Sequence, residues 1–400
     1  MKLPLIYVAT GVMLLQQALS TMAGLTLPVL VPPIAEETGL SPSLIGLYVP
    51  ILYAGAMLSS VMAGGFMLRY GALRTSQICL LLTGLGLTIN AGGDLIWFAL
   101  GAIVAGFGGG PSTPASSQIL ARYTPREKAP LIFSIKQTGV PVGGMFAGVL
   151  LPIYVSAFGW RGALICAGLM SFAFVILVQP LRAKFDSDRE PSRPLKFGDV
   201  RGTLTMVFRD PRIRELALSI FAFTGLQLAF ASFFVSFLSV GLGWTLAEAG
   251  FAYSVAMVFG IGGRVFWGWV GTRFVAPLSL LSGLGIFMGL AIGAMAFVDQ
   301  SWSRYAVWTA AACFGLSGIG YQGVLLAEIA RIAPPGMAGL ATGGTVFFAF
   351  AGMILMPATY GLILSLGGGY SLAFAILGVP SLVAGGMLFR TVRRNAKLRT

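Results

Sequence analysis

Apolar residues run through this chain in stretches of about twenty, separated by short segments rich in Gly, Pro, Lys or Arg. Within each stretch the polar positions are too few to draw a two-sided pattern. Neither the alternation of a half-buried strand nor the stripe of a soluble amphipathic helix fits. A segment apolar all round and ~20 residues long matches an α-helix crossing a bilayer. Twelve such spans are predicted, at 5–31, 43–66, 75–92, 95–121, 131–156, 162–181, 214–241, 247–271, 277–298, 304–331, 339–365 and 371–391. In hydrocarbon the backbone must satisfy its own hydrogen bonds, which a helix does internally, so the pattern implies an all-α membrane protein.

With 56% hydrophobic and only 10% charged residues over 400 positions, the composition excludes a soluble domain. The formal charge of +13 could suggest a nucleic-acid partner, but its distribution does not. With an even number of spans and both termini cytoplasmic, all but four of the 26 basic residues lie on the inner side. Arg161 and Arg304 lie outside, and Lys136 and Arg264 lie within spans. This is the positive-inside bias of a multi-pass protein of the cell inner (plasma) membrane, with the bilayer as a partner and no nucleic acid. Basic residues are densest between the sixth and seventh spans, from Arg182 and Lys184 through Arg193 and Lys196 to Arg214, with Pro191 and Pro194 among them. The expected organisation is an N-terminal six-helix bundle at 1–181, a cytoplasmic linker at 182–213, a C-terminal six-helix bundle at 214–391 and a basic cytoplasmic tail at 392–400.

The first span follows a single Lys2 and is too long for a signal-peptide core, so it is expected to be the first helix. Cys79, Cys166 and Cys313 are isolated in apolar runs, and the chain has no histidine. No disulfide, metal site or cofactor is indicated, and hydrolytic chemistry lacks its commonest base. Gly318-Ile319-Gly320-Tyr321-Gln322-Gly323 matches a dinucleotide fingerprint by letters but lacks the preceding strand.

An internal repeat supports the two bundles. Gly268 and Arg273 follow Gly64 and Arg69 by 204 residues, Pro357 follows Pro152 by 205, and Arg122 and Arg331 both close the inner ends of spans. Spaced small residues, Gly139 with Gly143, Gly144 with Gly148, and Gly101 with Ala105 and Gly109, suit close approach of helix backbones.

With twelve spans, a basic central linker and the paired loops Gly64-Gly65-Phe66-Met67-Leu68-Arg69-Tyr70-Gly71 and Gly268-Trp269-Val270-Gly271-Thr272-Arg273, the chain resembles the major facilitator superfamily over nearly its full length. The resemblance implies two pseudo-symmetric six-helix bundles. The family's loop motif, Gly-x-x-x-Asp-Arg-x-Gly, is kept in part: Leu68 and Thr272 stand where the acid of its charge lock is expected. Arg69 and Arg273 remain to meet helix ends or lipid phosphates. Gly64, Arg69, Gly71, Gly268 and Arg273 are the gating candidates.

A cation in a span is costly and is kept where it faces a polar cavity. Lys136, in Ile135-Lys136-Gln137-Thr138-Gly139-Val140-Pro141, lies ~9 Å inside the inner end of the fifth helix, and Arg264 lies ~10 Å inside the eighth. The alternative for Lys136 is snorkelling to the headgroups. Two positive groups suggest an anionic ligand, and guanidinium offers a fork matched to a carboxylate. Arg264 with Gly268 four residues later resembles the eighth-helix arginine of monocarboxylate transporters and the oxalate/formate exchanger, where it binds a substrate carboxylate. The stretch from Phe133 to Gly144 is similar to cyanate-permease-like members. The superfamily's architecture implies that the two cations share one cavity.

Further candidates to line the path are Gln16, Tyr53, Gln137, Gln227, Tyr321 and Gln322, with Gln17, Ser112, Thr113, Ser116, Thr342 and Thr345 as lesser ones. Glu328, three residues before Arg331, is the acid inside a span and a candidate for proton coupling or an ion pair. Trp160, Arg161 and Trp302 are expected as interfacial anchors. The reading is a monomeric secondary transporter of a small mono- or dicarboxylate by alternating access, with symport, exchange and uniport all open. The alternatives are a cyanate-type permease, a multidrug exporter of the same superfamily, or a non-transporting receptor.

Overall fold

The computed structural model of the chain describes residues 5–40, 47–192 and 200–397. Arg193, Pro194 and Lys196 of the expected linker, and the first residues of the second predicted span, lie outside the described residues. Among the described residues the regular elements are helices, and eleven segments are long and apolar enough to cross a membrane. Eleven rather than twelve arises because the fifth and sixth predicted spans form one stretch, Arg126–Phe185, of 60 residues. At 1.5 Å per residue such a helix would extend ~90 Å, about three hydrocarbon thicknesses. Gly159, at φ 67° and ψ 177°, breaks it between the two predicted spans in a conformation that needs glycine.

Helix starts outside the apolar runs follow local chemistry. Asp94 accepts from the amides of Ile96 and Trp97 at 2.9 and 3.1 Å, and Asp210 from those of Arg212 and Ile213 with Pro211 in the first turn. Thr245 and Glu248 form a capping box at the start of Leu246–Arg273.

The chain forms two compact units. The first comprises Met1–Pro125, Lys136–Arg209 and Ala330–Phe347, and the second comprises Arg126–Ile135, Asp210–Ile329 and Phe348–Thr400. A short inner part of the fifth span thus packs with the second unit, and an inner part of the eleventh with the first.

In the first unit, glycines set the helix contacts. A Cβ on Gly139 would collide with the Leu14 carbonyl, and one on Gly143 with the Ala18 carbonyl, so the first and fifth spans meet backbone to backbone. Gly144 and Gly148 sit in looser surroundings, so one of the two small-residue rows does the packing. Gly64 receives the Leu340 side chain. Tyr48, Leu87, Phe98, Leu151 and Trp160 belong to one buried cluster. Trp160 corrects an expectation: it is 3% exposed, and its indole N–H donates to Glu37 at 2.7 Å, with Arg161 also paired to Glu37. A side chain that buries its rings and satisfies its N–H within the protein is not an interfacial anchor.

The second unit has an aromatic core. Phe230 lies 4.4 Å from Phe234 and 4.3 Å from Phe314, ring centre to ring centre, and Phe223 meets Tyr321 edge-on at 5.2 Å. Gly268, the repeat partner of Gly64, faces Ser134, whose Cβ lies 2.5 Å from where a Cβ on Gly268 would stand. Gly323 meets the Ser134 backbone more closely still.

Candidate functional site

In the first unit the fifth span breaks where its cation sits. Thr138 alone separates helix Ala129–Gln137 from helix Gly139–Val178. Pro141 has no N–H to offer the Gln137 carbonyl, which accounts for a break at this point. Because Gly139 lets this span press against Leu14 and Gln17, Lys136 reaches the first span. Its ammonium donates to Gln17 Oε1 at 2.7 Å and to Gln137 Oε1 at 2.9 Å. Thr113 Oγ1 donates to the same Gln17 oxygen at 3.4 Å, and Gln17 Nε2 donates to Thr21 at 3.4 Å. Lys136 is 1% exposed, so its ammonium is held inside the protein and does not reach the headgroups.

Gln16, one residue from Gln17, points elsewhere. Its amide donates to Ser112 Oγ at 2.6 Å, and Ser112 also bonds Ser20 at 3.3 Å. The two neighbours lie ~100° apart around the helix, so only one of them faces the lysine. The structure therefore brings Lys136, Gln137 and Gln17 together and sets Gln16 beside them, while Tyr53 packs half-buried against the apolar cluster.

In the second unit Arg264 is 1% exposed on helix Leu246–Arg273. In the same unit the Tyr321 hydroxyl is bonded to Thr224 Oγ1 at 2.6 Å. Tyr321 lies at a second break. The tenth span passes through a π turn, Gly315–Ile319, before helix Gln322–Ile332 resumes. Gly263 packs on that turn, with the Leu316 carbonyl 2.6 Å from a virtual Cβ, and Trp267 Nε1 donates to the same carbonyl at 2.8 Å. A residue on either side of Arg264 thus pins its helix to the turn that sets Tyr321. Gln227 and Gln322 are half-buried in the same unit, and Glu328 is buried at 2% exposure on helix Gln322–Ile332.

Thr224 and Trp267 were not among the candidates. A hydroxyl in a span usually bonds its own helix carbonyl, as Thr26 and Thr83 do here, so Thr224 carried no distinguishing signal. Trp267, three residues after Arg264, could have been noticed by its helical spacing.

Where the family's loop acid is missing, neutral groups hold the neighbouring helix starts. Thr272 Oγ1 accepts from the Leu131 amide at 3.1 Å, in the first turn of Ala129–Gln137, and donates to the Gly268 carbonyl at 2.8 Å. Gln118 accepts from the Gly339 amide at 2.8 Å at the start of Ala338–Ser365 and donates to Gly336 O at 2.7 Å. Gly71 adopts φ 101°, and Asp186 lies directly against it. The Asp186 carboxylate accepts from the amides of Leu73 and Arg74 at 2.7 and 3.0 Å, with Arg182 at 3.7 Å. Burial raises its pKa above the usual carboxylate range, against the lowering effect of those amides and of Arg182. Arg69 is half-buried beside the Tyr70 ring, and Arg273 is exposed.

Each unit therefore holds a buried cation, with uncharged hydrogen-bonding groups and an irregular helical turn in the same unit. Among the described residues no group of three or more Cys, Asp or Glu could hold a metal.

Comparison with known proteins agrees with this architecture. Monocarboxylate transporter 11 of Homo sapiens is 26% identical over 328 residues, covering 78% of this chain and 66% of that protein. The gentisate transporter of Corynebacterium glutamicum is 22% identical over 371 residues, covering 88% and 80%. The crystal structure of the human organic anion transporter MFSD10 superposes with a TM-score of 0.77 at 15% identity, covering 97% of this chain and all of that one, a likeness of fold. The sequence model of the Major Facilitator Superfamily matches residues 13–357, and the chain belongs to that family of multi-pass membrane transporters.

Proposed function

We propose that this transporter carries a small organic anion, a mono- or dicarboxylate, by alternating access, with Lys136 and Arg264 as the cations that bind it. The observation that carries the proposal is one cation inside a membrane span of each unit, each 1% exposed. Removing such a charge from water costs several kcal/mol, which a binding role explains. Arg264 offers the planar fork that suits a carboxylate, and the bonded Tyr321 and Thr224 hydroxyls of the same unit are candidates to orient a ligand oxygen. Lys136 offers a point charge already oriented by two amide oxygens. The burial of both groups supports a route for ligand through a change of conformation, of the kind that alternating access supplies. The relatives named above as transporters of a monocarboxylate class and of gentisate support the same substrate class.

The proposal includes a monomer in the cell inner membrane, and the distribution of Lys and Arg supports placing both termini on the cytoplasmic side. It also includes two bundles joined by the segment 182–213. Glu328 is the group from which proton coupling would be sought.

Binding and flux together test the reading. Purified protein is screened by thermal shift against acetate, gentisate, cyanate and tetraphenylphosphonium, and each binder is then assayed for uptake in proteoliposomes. Stabilisation and uptake of a carboxylate are expected. Stabilisation by the cation alone would move the protein to the drug exporters, and binding without flux would make it a receptor.

A further inference from the structure

At the ends of the seventh and twelfth spans, within the second unit, a cavity of about 590 Å³ opens between helix Pro211–Ser236 and helix Gly369–Lys397. Its walls change character along one stripe of the last helix. Val383 and Met387 are apolar, and Val383 is 63% exposed. One and two turns further on come Arg390, Thr391 and Arg394, with both arginines exposed. Spacings of three and four residues place all of these on one helical face. Opposite them stands Glu215, whose two carboxylate oxygens lie 2.9 and 2.8 Å from the Thr391 hydroxyl, which donates to them. None of these residues belongs to the anion site described above.

We propose that this cavity binds a phospholipid with an amine headgroup, its phosphate on Arg390 and Arg394, its ammonium on Glu215, and an acyl chain along Val383 and Met387. The order of the groups argues for it. A stripe that passes from apolar side chains to arginines as a span leaves the membrane has the polarity profile of a lipid. Two guanidinium groups suit a phosphate. A free inorganic anion would gain nothing from a carboxylate in the same wall, and an acidic headgroup would be repelled by it. A zwitterion that carries phosphate and ammonium a few bonds apart meets both signs. Thr391 uses part of the acceptor capacity of Glu215, and a carboxylate can accept several more hydrogen bonds. A choline headgroup has no N–H to donate and fits less well.

The experiment reads which lipid the full chain keeps. Protein is reconstituted in nanodiscs holding equal amounts of phosphatidylethanolamine, phosphatidylglycerol and phosphatidylcholine, released into mild detergent, and analysed by native mass spectrometry. The parent is expected to retain phosphatidylethanolamine over phosphatidylcholine by about tenfold, the ratio expected from one charge-assisted hydrogen bond. Glu215→Gln is expected to erase that preference while some phospholipid is still retained. The Arg390→Gln/Arg394→Gln pair is expected to lose retained lipid of every class. Thr391→Val, which leaves Glu215 charged, is expected to keep the preference, so the chemistry stays testable if Glu215→Gln folds poorly. Unchanged selectivity in Glu215→Gln, loss of selectivity in Thr391→Val, or unchanged retention in the double arginine variant would overturn the proposal. So would displacement of the lipid by millimolar inorganic phosphate, which would make this a site for a soluble anion.

Discussion

Lys136 Nζ donates to Gln17 Oε1 at 2.7 Å, joining the fifth span to the first where Gly139 brings the two backbones together. Losing a partner of a buried charged group costs about 1.5–3 kcal/mol. Gln17→Leu should therefore lower the thermal midpoint of the purified protein clearly, and should do so far less in a Lys136→Gln background. A double-mutant cycle reads the difference, and equal costs in both backgrounds would mean that the bond carries no coupling.

Thr224 and Tyr321 share a 2.6 Å hydrogen bond in the buried interior of the second unit. Tyr321→Phe strands the threonine hydroxyl and should cost about 1–3 kcal/mol, while Tyr321→Phe with Thr224→Val, which removes both polar partners, should recover most of it. Thermal-shift midpoints of the two single variants and the double variant decide the matter.

Glycine substitutions on neighbouring helices should separate by what they meet. Gly323→Ala would press a methyl into the Ser134 backbone, which cannot rotate away, and Gly268→Ala into the Ser134 side chain. Overpacking of this kind costs about 1–3 kcal/mol, with Gly323→Ala the worse of the two. Gly262→Ala, on the same helix as Gly268 and with nothing within 4 Å, should be neutral or stabilising by up to ~1 kcal/mol. Equal midpoints for all three would show that Ser134 is not confined.

Much of this architecture could be read directly from the chain. Spans are legible because length and composition alone decide them, and the repeat of Gly64 and Gly268 was a packing signal: both glycines receive a side chain from a span elsewhere in the sequence, Leu340 and Ser134. Helix phase is less legible in an apolar span, because lipid and protein interior look alike to the sequence. That is why the sequence favours Gln16 over Gln17, although only Gln17 meets Lys136. Trp160 misled for a related reason. An aromatic beside an arginine at the end of a span fits both an interfacial anchor and a buried ring tied to a distant acid, and Glu37 lies 123 residues away. Thr224 matters only through a contact made by folding.

Asp186 gives a signature in pH. Burial raises its pKa in the folded chain above the value in the unfolded chain, so the folded state takes up this proton first. Stability contributed by that titration is present below the unfolded-state pKa and is lost as pH rises through the folded-state pKa. Asp186→Asn should flatten this component of the midpoint-against-pH curve. It should also lower the midpoint by the equivalent of about 0.5–2 kcal/mol if the amide serves Leu73 and Arg74 less well than the carboxylate does. An unchanged curve would remove Asp186 from the account of the loop around Gly71.

The most direct test of the central claim is uptake of a labelled carboxylate by proteoliposomes holding the parent, Lys136→Gln or Arg264→Lys at matched protein content. The account predicts that each substitution cuts uptake at least about tenfold, with Arg264→Lys failing because an ammonium cannot hold a carboxylate by two parallel bonds. Uptake equal to the parent in both variants would contradict it.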